Sequence, residues 1–355
     1  MLLRYRRWLG ALVACLAFGC SDRVPLGAFA RPGPPSEPAG AGGGGGQGGA
    51  PTGGAPITGG RQTGGTSTGG TAPVTGGAPN PTGGAPTGGA PPNACDQVGT
   101  PGGVNGRGSG VGITIPHTDW TWPDLLTSLE WDLTVETELE TDGYFFPHEF
   151  RLESGAYGFL GLQPNGRYSP DLSQPEIIIT NLAVFWISAA PLGTPPLDSE
   201  LGDIQPPDAR TSATVQQNIQ WLAINARYDF SICRAYRLRV STDSTDASGN
   251  IWYAAYIRDL TTDIETSLGR ILVPADWGKM QVTTTMWSNR IGQTALTSCG
   301  SAEPASVLFG TPSAVVDGET VSPERSRNRY EAPACPDARF TVFPNGVRHE
   351  LGLPD

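Results

Sequence analysis

The stretch "GYFFPHEFRLESGAYGFLGLQPNG", residues 143–166, contains two runs of aromatic and apolar residues joined by the polar segment Glu153-Ser154-Gly155. Short runs of this kind, bounded by glycine, proline and asparagine, are typical of β-strands. The stretch therefore predicts a pair of buried strands in the core, the second of which ends in a turn at residues 164–166.

The same stretch holds one of only three histidines, His148, next to Glu149. Successive side chains of a strand point to opposite faces, so these two groups cannot act together as an acid/base pair unless a bulge intervenes. Pro147 is compatible with a bulge or an edge position. We interpret the stretch as a core hairpin and keep His148 and Glu149 as candidate catalytic residues.

Further strand patterns continue on both sides of this hairpin. They cover residues 131–140, 177–188, 235–240, 251–260, 264–273, 281–287 and 306–310. Helix signals are weak: residues 123–130 fit one or two helical turns, and residues 214–223 are ambiguous. About ten strands separated by glycine- and proline-containing turns predict an all-β domain, a jelly-roll or concanavalin-like β-sandwich spanning residues 95–355.

Several of these segments together resemble a known family of secreted proteins. The segments are "WDLTVETELE", "GYFFPHEFRLESGAYGFLGLQPNGR", "YRLRV" and "GNIWYAAYIRDLTTDIETSLGRILVP", within residues 130–310. In this order they look like the uncharacterised bacterial family called domain of unknown function 3472. Leu268-Gly269-Arg270-Ile271 departs from the expected pattern of Ile-Gly followed by a small residue. The resemblance implies an extracellular β-sandwich and supplies no catalytic residues.

The N-terminus has the features of an export signal. Three arginines precede a short apolar run that ends at Gly19-Cys20, and this run is too short to cross a bilayer as a helix. The segment resembles a bacterial lipoprotein signal peptide, residues 1–19, with Cys20 as the lipidated residue. Cys15 is the alternative, and a plain secretory signal is a further possibility.

Residues 20–94 form a separate segment. Between Arg31 and Asn93 the sequence is almost entirely Gly, Pro, Ala and Thr, with recurring "TGGA" and "GGAP" units. Such a composition cannot bury enough apolar surface to offset the ordering entropy, so it predicts a disordered tether. Together with the lipid, the tether predicts a domain held at the cell envelope, at the outer membrane or cell surface rather than the inner membrane.

The net charge of the chain is −11 at pH 7. An acidic surface repels phosphate backbones, and the sequence contains no basic stripe, so nucleic acid is excluded as a partner. The partners that we predict are the membrane, through the lipid anchor, and a glycan or another envelope component.

Four cysteines fall in the predicted domain: Cys95, Cys233, Cys299 and Cys335. In an exported protein an even number favours two disulfides, but three pairings are possible. No CxxC pair is present and histidine is scarce, so we predict no transition-metal site. The loop at Asp243 and Asp246 could ligate calcium, although its spacing differs from an EF-hand.

Two other groups are candidates for function. Glu136, Glu138 and Glu140 alternate in "VETELE", and residues two apart on one strand face are separated by about 6.6 Å, close to the carboxylate spacing of retaining glycosidases. In "HTDWTWPD", Trp120 and Trp122 could stack on sugars, with His117 and Asp119 supplying hydrogen bonds.

Three functions remain open. The first is a lipoprotein whose sandwich binds a glycan or another envelope component. The second is a concanavalin-like glycan-degrading enzyme, a glycoside hydrolase or polysaccharide lyase, which uses a pair of these glutamates. The third is a structural envelope protein.

The lipidation hypothesis predicts that Cys20→Ser abolishes incorporation of an alkyne-labelled fatty acid when the chain is expressed in a bacterial host. Each buried methylene of an acyl chain adds about 0.8 kcal/mol to membrane affinity, so the variant should also leave the membrane fraction. Cys15→Ser is the control and should keep the label. Labelling that follows Cys15 instead, or no labelling at all, would contradict the assignment.

Overall fold

The computed structural model describes residues 95, 100–101, 114–141, 143–169, 178–189, 194–205, 207–216, 219–290, 302–331 and 337–353. These residues form two antiparallel sheets packed as a sandwich, which confirms the predicted fold class. Within these ranges the only helical element longer than one residue is the 3-10 helix Ala275–Trp277. No helix in the described part of the chain is long and apolar enough to cross a membrane.

Twenty strands make up the two sheets. In chain order they are β1 (Thr100–Pro101), β2 (Ile115–Thr121), β3 (Ser128–Val135), β4 (Tyr144–Arg151), β5 (Tyr157–Tyr168), β6 (Ile178–Ser188), β7 (Asp198–Leu201), β8 (Ala209–Gln216), β9 (Ile219–Arg227), β10 (Tyr236–Thr245), β11 (Ile251–Asp259), β12 (Ile264–Val273), β13 (Thr283–Trp287), β14 (Asn289–Arg290), β15 (Ala305–Gly310), β16 (Ser313–Val316), β17 (Glu319–Val321), β18 (Arg325–Glu331), β19 (Arg339–Phe343) and β20 (Gly346–Leu351).

Sheet 1 has the order β1-β19-β20-β15-β3-β10-β11-β12-β7, and the hairpin β16–β17 also joins β3. Sheet 2 has the order β18-β2-β13-β4-β5-β6-β9-β8, with β14 beside β4. Several neighbours in each sheet are distant in sequence, because the chain crosses repeatedly between the two layers. The main core, including Trp131, Phe146, Phe150 and Phe309, lies between them.

The hairpin of residues 143–166 is formed by β4 and β5, as predicted. Phe146 lies opposite Leu162, and Glu149 opposite Phe159. The predicted turn at residues 164–166 is wrong, because β5 continues to Tyr168. Instead of a turn, the register against β6 shifts between Gln163 and Gly166, where Asn165 adopts a φ of 49°. The turn-forming residues here produce a bulge in a continuous strand.

Pro147 lies in the interior of sheet 2, and not at an edge. Beside it the ladder is interrupted between β13, which pairs with His148, and β14, which pairs with Phe145. The intervening Ser288 N–H donates to the Pro116 carbonyl at 3.3 Å.

The predicted strand at residues 131–140 ends early, at Val135. Its neighbour β10 begins opposite Leu133, and the Val135 carbonyl accepts instead from the N–H of Cys233, which precedes β10. On the β10 side the ladder therefore stops, although on the other side the Glu136 N–H still donates to the Ser306 carbonyl of β15 at 2.9 Å, and Glu136, Glu138 and Glu140 follow the strand. The two ambiguous segments contain strands: residues 128–130 begin β3, residues 214–216 end β8, and residues 219–223 begin β9.

A disulfide joins Cys95 to Cys233, which settles one pairing among the predicted four cysteines. It closes a loop between the start of the domain and the turn before β10. Restricting the unfolded chain in this way typically stabilises a fold by about 2–4 kcal/mol. Cys299 and Cys335 lie outside the described residues, as do the predicted signal peptide and tether.

Two histidines are fully buried between the sheets. His148 Nε2 lies 2.8 Å from Thr284 Oγ1, and its ring packs edge-on against Trp131. His349 lies between Thr118 Oγ1, at 2.9 Å, and Ser288 Oγ, at 3.1 Å. Burial lowers the pKa of each imidazole from 6.5 to about 3. Both side chains are therefore neutral in the folded protein at neutral pH.

These lowered pKa values predict that the free energy of unfolding falls as the pH drops below 6.5. The unfolded chain then binds protons that the folded chain does not, which costs about 1.4 kcal/mol per pH unit for each histidine. Chemical denaturation between pH 6.5 and about 5, above the range where ordinary carboxylates titrate, should show this slope.

His148→Gln should reduce the slope by about 1.4 kcal/mol per pH unit, because it removes one of the histidines whose pKa burial lowers. Thr284→Val is the matched control: it removes the hydrogen bond but keeps the titrating group, so it should lower stability without changing the slope. An unchanged slope in His148→Gln would contradict the assignment.

Candidate functional site

The face of sheet 2 that points away from sheet 1 carries a second apolar cluster. It alternates with the core along each strand: Phe145 and Phe159 point outward, whereas Phe146 and Leu160 point into the sandwich. We call this surface the aromatic face. Tyr168 at the end of β5 belongs to it. Its five other rings are Phe145 on β4, Phe159 on β5, Trp186 on β6, Trp221 on β9 and Trp287 on β13.

The five rings form one continuous chain of edge-to-face contacts across five strands. The ring centroids of Trp221 and Trp186 are 5.1 Å apart, and those of Trp186 and Phe159 are 4.3 Å apart. Phe159 then contacts Phe145 at 5.2 Å, and Phe145 contacts Trp287 at 5.7 Å. Rings in this geometry hold one another in fixed orientations, which makes the surface rigid.

A shallow groove of about 210 Å³ lies on this face over strands β4, β5, β6, β8 and β9. Four of the five rings line it, together with the polar side chains of Gln163, Ser212 and Asn225. None of the described side chains in the lining is acidic or basic. Asn225 Nδ2 donates to Ser212 Oγ at 3.4 Å, and the buried Trp186 Nε1 has no hydrogen-bond partner in the described structure.

A charged cluster borders the aromatic face on β2, β4 and β18. Arg329 binds Asp119 through two nitrogens, with Nε 2.8 Å from Oδ2 and Nη2 3.3 Å from Oδ1. Its Nη1 donates to Glu331 Oε2 at 3.0 Å, and His117 Nε2 lies 3.3 Å from the same oxygen. Arg329 therefore binds the carboxylates of both Asp119 and Glu331.

Glu149 completes the charged cluster. It lies next to Phe159 in the strand register, and its side chain is only 15% exposed. Burial raises the pKa of this carboxyl, while Arg151, whose Nη2 is 3.1 Å from Glu149 Oε1, opposes the shift. Burial, reinforced by the nearby Arg329, lowers the pKa of His117 well below its usual value.

The other predicted candidates lie elsewhere. His148 points into the core, so it faces away from Glu149. Trp120 and Trp122 are also buried in the core, where their indole N–H groups lie 3.2 Å from Met286 Sδ and 3.1 Å from Thr284 Oγ1. The prediction that these two tryptophans form a sugar-stacking surface is wrong. The proline and polar residues around them come from β2 and its end, and not from an exposed loop.

The glutamates of "VETELE" do not form a pair with Glu149. Glu136 accepts two hydrogen bonds from Arg348, at 2.6 and 2.7 Å, and one from Ser306 at 2.6 Å, which ties it to β20 and β15 of sheet 1. Glu138 and Glu140 are exposed in the loop after β3. The expected carboxylate spacing depended on a strand that ends at Val135.

The proposed calcium ligands have other partners. Asp246 Oδ1 accepts from the backbone N–H groups of Ser248 and Asn250, which shapes the hairpin loop. Asp243 lies within β10 and pairs with Arg270 at 3.0 Å. In the ranges covered by the structure, no group of three or more histidine, cysteine and acidic side chains could hold a metal ion.

The aromatic face was not predicted from the sequence. One signal was available, since residues 177–188 are apolar at both odd and even positions, which indicates a strand covered on both faces. The sequence could not show that Trp221 and Trp287, from distant segments, join the same row.

Comparison with known proteins adds little. No protein-family model matches the sequence, and no curated protein matches it. Among solved structures, the crystal structure of scytalido-glutamic peptidase with a transition state analog inhibitor is 12% identical, with a TM-score of 0.35. The alignment covers 68% of this chain and 98% of the peptidase chain. A TM-score this low supports no inference about fold or activity.

The charged cluster predicts that Arg151→Gln raises the pKa of Glu149 further, because it removes the charge that opposes burial. Side-chain ¹³C NMR of labelled glutamate would measure this pKa, which we expect above 4.5 in the unaltered protein. Arg239→Gln, the same change on the outward face of sheet 1, should have no effect. A pKa that stays constant or falls in Arg151→Gln would contradict the assignment.

Proposed function

We propose that this chain is an envelope-anchored lipoprotein whose aromatic face binds a glycan. The observation that supports it best is the groove, which combines an apolar lining of rings with a few uncharged polar groups. Sugar rings present apolar C–H faces and a rim of hydroxyl groups, and a site of this composition matches both features.

The polar groups of the groove indicate the class of sugar. Gln163 and Asn225 carry amides that both donate and accept, and Ser212 carries a hydroxyl. A ligand oxygen near Trp186 Nε1 would satisfy a buried donor that otherwise lacks a partner. Because the lining has no cation to pair with a carboxylate, neutral sugars fit it better than uronic acids.

Binding is favoured over glycan degradation because of the carboxylates. A glycosidase needs two carboxyl groups on either side of the scissile bond. Here Asp119 and Glu331 are engaged by Arg329, and Glu136 is engaged by Arg348. A purely structural role would not require a groove with an unsatisfied donor in its lining.

The predicted N-terminal segments complete the proposal. A lipid on Cys20 would hold the chain at the membrane, and the Gly/Pro/Thr-rich residues 20–94 would separate the sandwich from it. A Gly-rich coil of about 60 residues has a root-mean-square reach on the order of 40 Å. The binding face could then sample glycans at some distance from the bilayer.

The test is Trp221→Ala, assayed by calorimetry against a panel of neutral oligosaccharides with cello-, xylo-, manno- and chito-backbones. Trp221 is the least buried of the five rings. Its loss should weaken binding about tenfold, equivalent to about 1.4 kcal/mol. Trp252→Ala is the matched control, because Trp252 lies on the outward face of sheet 1 under Arg270.

Equal weakening by both substitutions would indicate a general loss of folding and would contradict a specific role for the aromatic face. No binding of any neutral oligosaccharide by the unaltered protein, or tighter binding of oligouronates, would contradict the proposed ligand class.

A further inference from the structure

A second opening lies at the other end of the sandwich, away from the aromatic groove. It is a cleft of about 300 Å³ between β18, the edge strand of sheet 2, and the hairpin β19–β20 of sheet 1. Ser326 and Asn328 of β18 line one wall, and Val342 and Val347 line the other.

The cleft exists because the two sheets end at different places. β20 is covered by β2, where His349 contacts Thr118, and the start of β19 is covered by β18, where the rings of Tyr330 and Phe340 are 5.2 Å apart. Sheet 1 continues to β1, which pairs with Val342, but no described strand of sheet 2 lies beyond β18. Val342 is consequently 46% exposed although it is a large apolar residue.

In the described part of the fold, β18 is a regular edge strand whose first three residues are exposed. All seven of its residues pair with β2, so their other edge is free of any strand in the described part of the fold. Its side chains alternate. Asn328, which accepts from Thr118 Oγ1 at 2.6 Å, faces inward, whereas Arg329, bound to Asp119, faces outward. Arg325 and Arg327 share the outward side and are exposed.

We propose that β18 and the cleft form a docking site for an extended segment of another protein, which adds to sheet 2 as a further antiparallel strand. Main-chain hydrogen bonds to an open edge supply affinity in this mode of binding, and pockets for alternate side chains supply specificity. Apolar side chains of the added strand would enter the cleft against Val342, and those between them would lie beside Arg325 and Arg327.

The charges define the partner as an acidic segment. Arg325 and Arg327 form no ion pair within the described residues, on a chain whose net charge is −11. Acidic side chains directly opposite them would form cross-strand pairs. The partner sequence is therefore an alternation of acidic and apolar residues over about seven positions.

A second copy of this chain fits less well. An antiparallel pair of β18 strands related by a two-fold axis at Asn328 would place Arg327 opposite Arg329 of the other copy at the centre of the pair, and only the outer residues Arg325 and Glu331 would be opposite charges. Like charges directly opposite each other destabilise a strand pair. Self-association through β18 is thus an alternative that the experiment must separate from partner binding.

The experiment measures binding of two fluorescein-labelled peptides to the folded protein by fluorescence anisotropy. One alternates glutamate and valine, and the other has the same composition with the two residue types in separate blocks. We expect the alternating peptide to bind, and Arg325→Glu/Arg327→Glu to weaken its binding roughly tenfold or more. The same variant should bind a peptide that alternates lysine and valine.

Two controls keep the test specific. Arg227→Glu/Arg258→Glu changes the net charge equally at other sites and should retain binding. Val342→Asp tests the cleft itself and should weaken binding of the alternating peptide, with an unchanged melting temperature showing that the fold is intact.

If the peptide with glutamate and valine in separate blocks bound equally well, binding would depend on net charge alone, and the proposal would be overturned. Absence of binding at the highest soluble peptide concentration would also overturn it. So would sedimentation equilibrium showing a dimer that Arg325→Glu/Arg327→Glu dissociates, since the occupant would then be a second copy.

Discussion

The antiparallel pairing of β4, β5 and β6, three strands that are apolar on both faces, is the constraint on which the rest of the structure depends. One face of these strands packs against sheet 1, and the other forms the aromatic face. Close backbone approach reinforces the pairing: a Cβ on Gly158 would lie 2.5 Å from the Phe150 ring, and one on Gly161 would lie 2.6 Å from the Phe146 carbonyl oxygen. The same strands therefore determine the core and the groove.

The outward faces of the two sheets differ in what covers their aromatic rings. On sheet 1, arginines cover the rings and pair with acids: Arg239 lies 4.2 Å over Tyr256 and pairs with Glu265, and Arg270 lies 4.4 Å over Trp252. Such a surface satisfies its own charges and rings. On sheet 2 the rings contact one another and leave a groove with an unpaired donor, which is why the proposed ligand site is placed there.

Much of the candidate site could not be predicted from the sequence. Alternation of side chains correctly separated His148 from Glu149, because that rule is local. The role of Trp120 and Trp122 was misjudged, since polar neighbours indicated exposure and only the packing of β2 between β13 and β18 shows that they are core. The spacing of Glu136, Glu138 and Glu140 failed for a similar reason: β3 ends where its pairing with β10 ends, and β10 is distant in sequence.

The sequence by itself determined the all-β class, most of the strands and the presence of disulfide-forming cysteines, because period-two alternation and turn residues act over a few positions. Only the tertiary structure decided the order of the strands, the Cys95–Cys233 pairing and the meeting of five rings from five strands. It also decided that sheet 1 extends beyond β18 and leaves a cleft. These features follow from contacts between segments far apart in the chain, whose pairing is a property of the whole fold and cannot be found in any single segment.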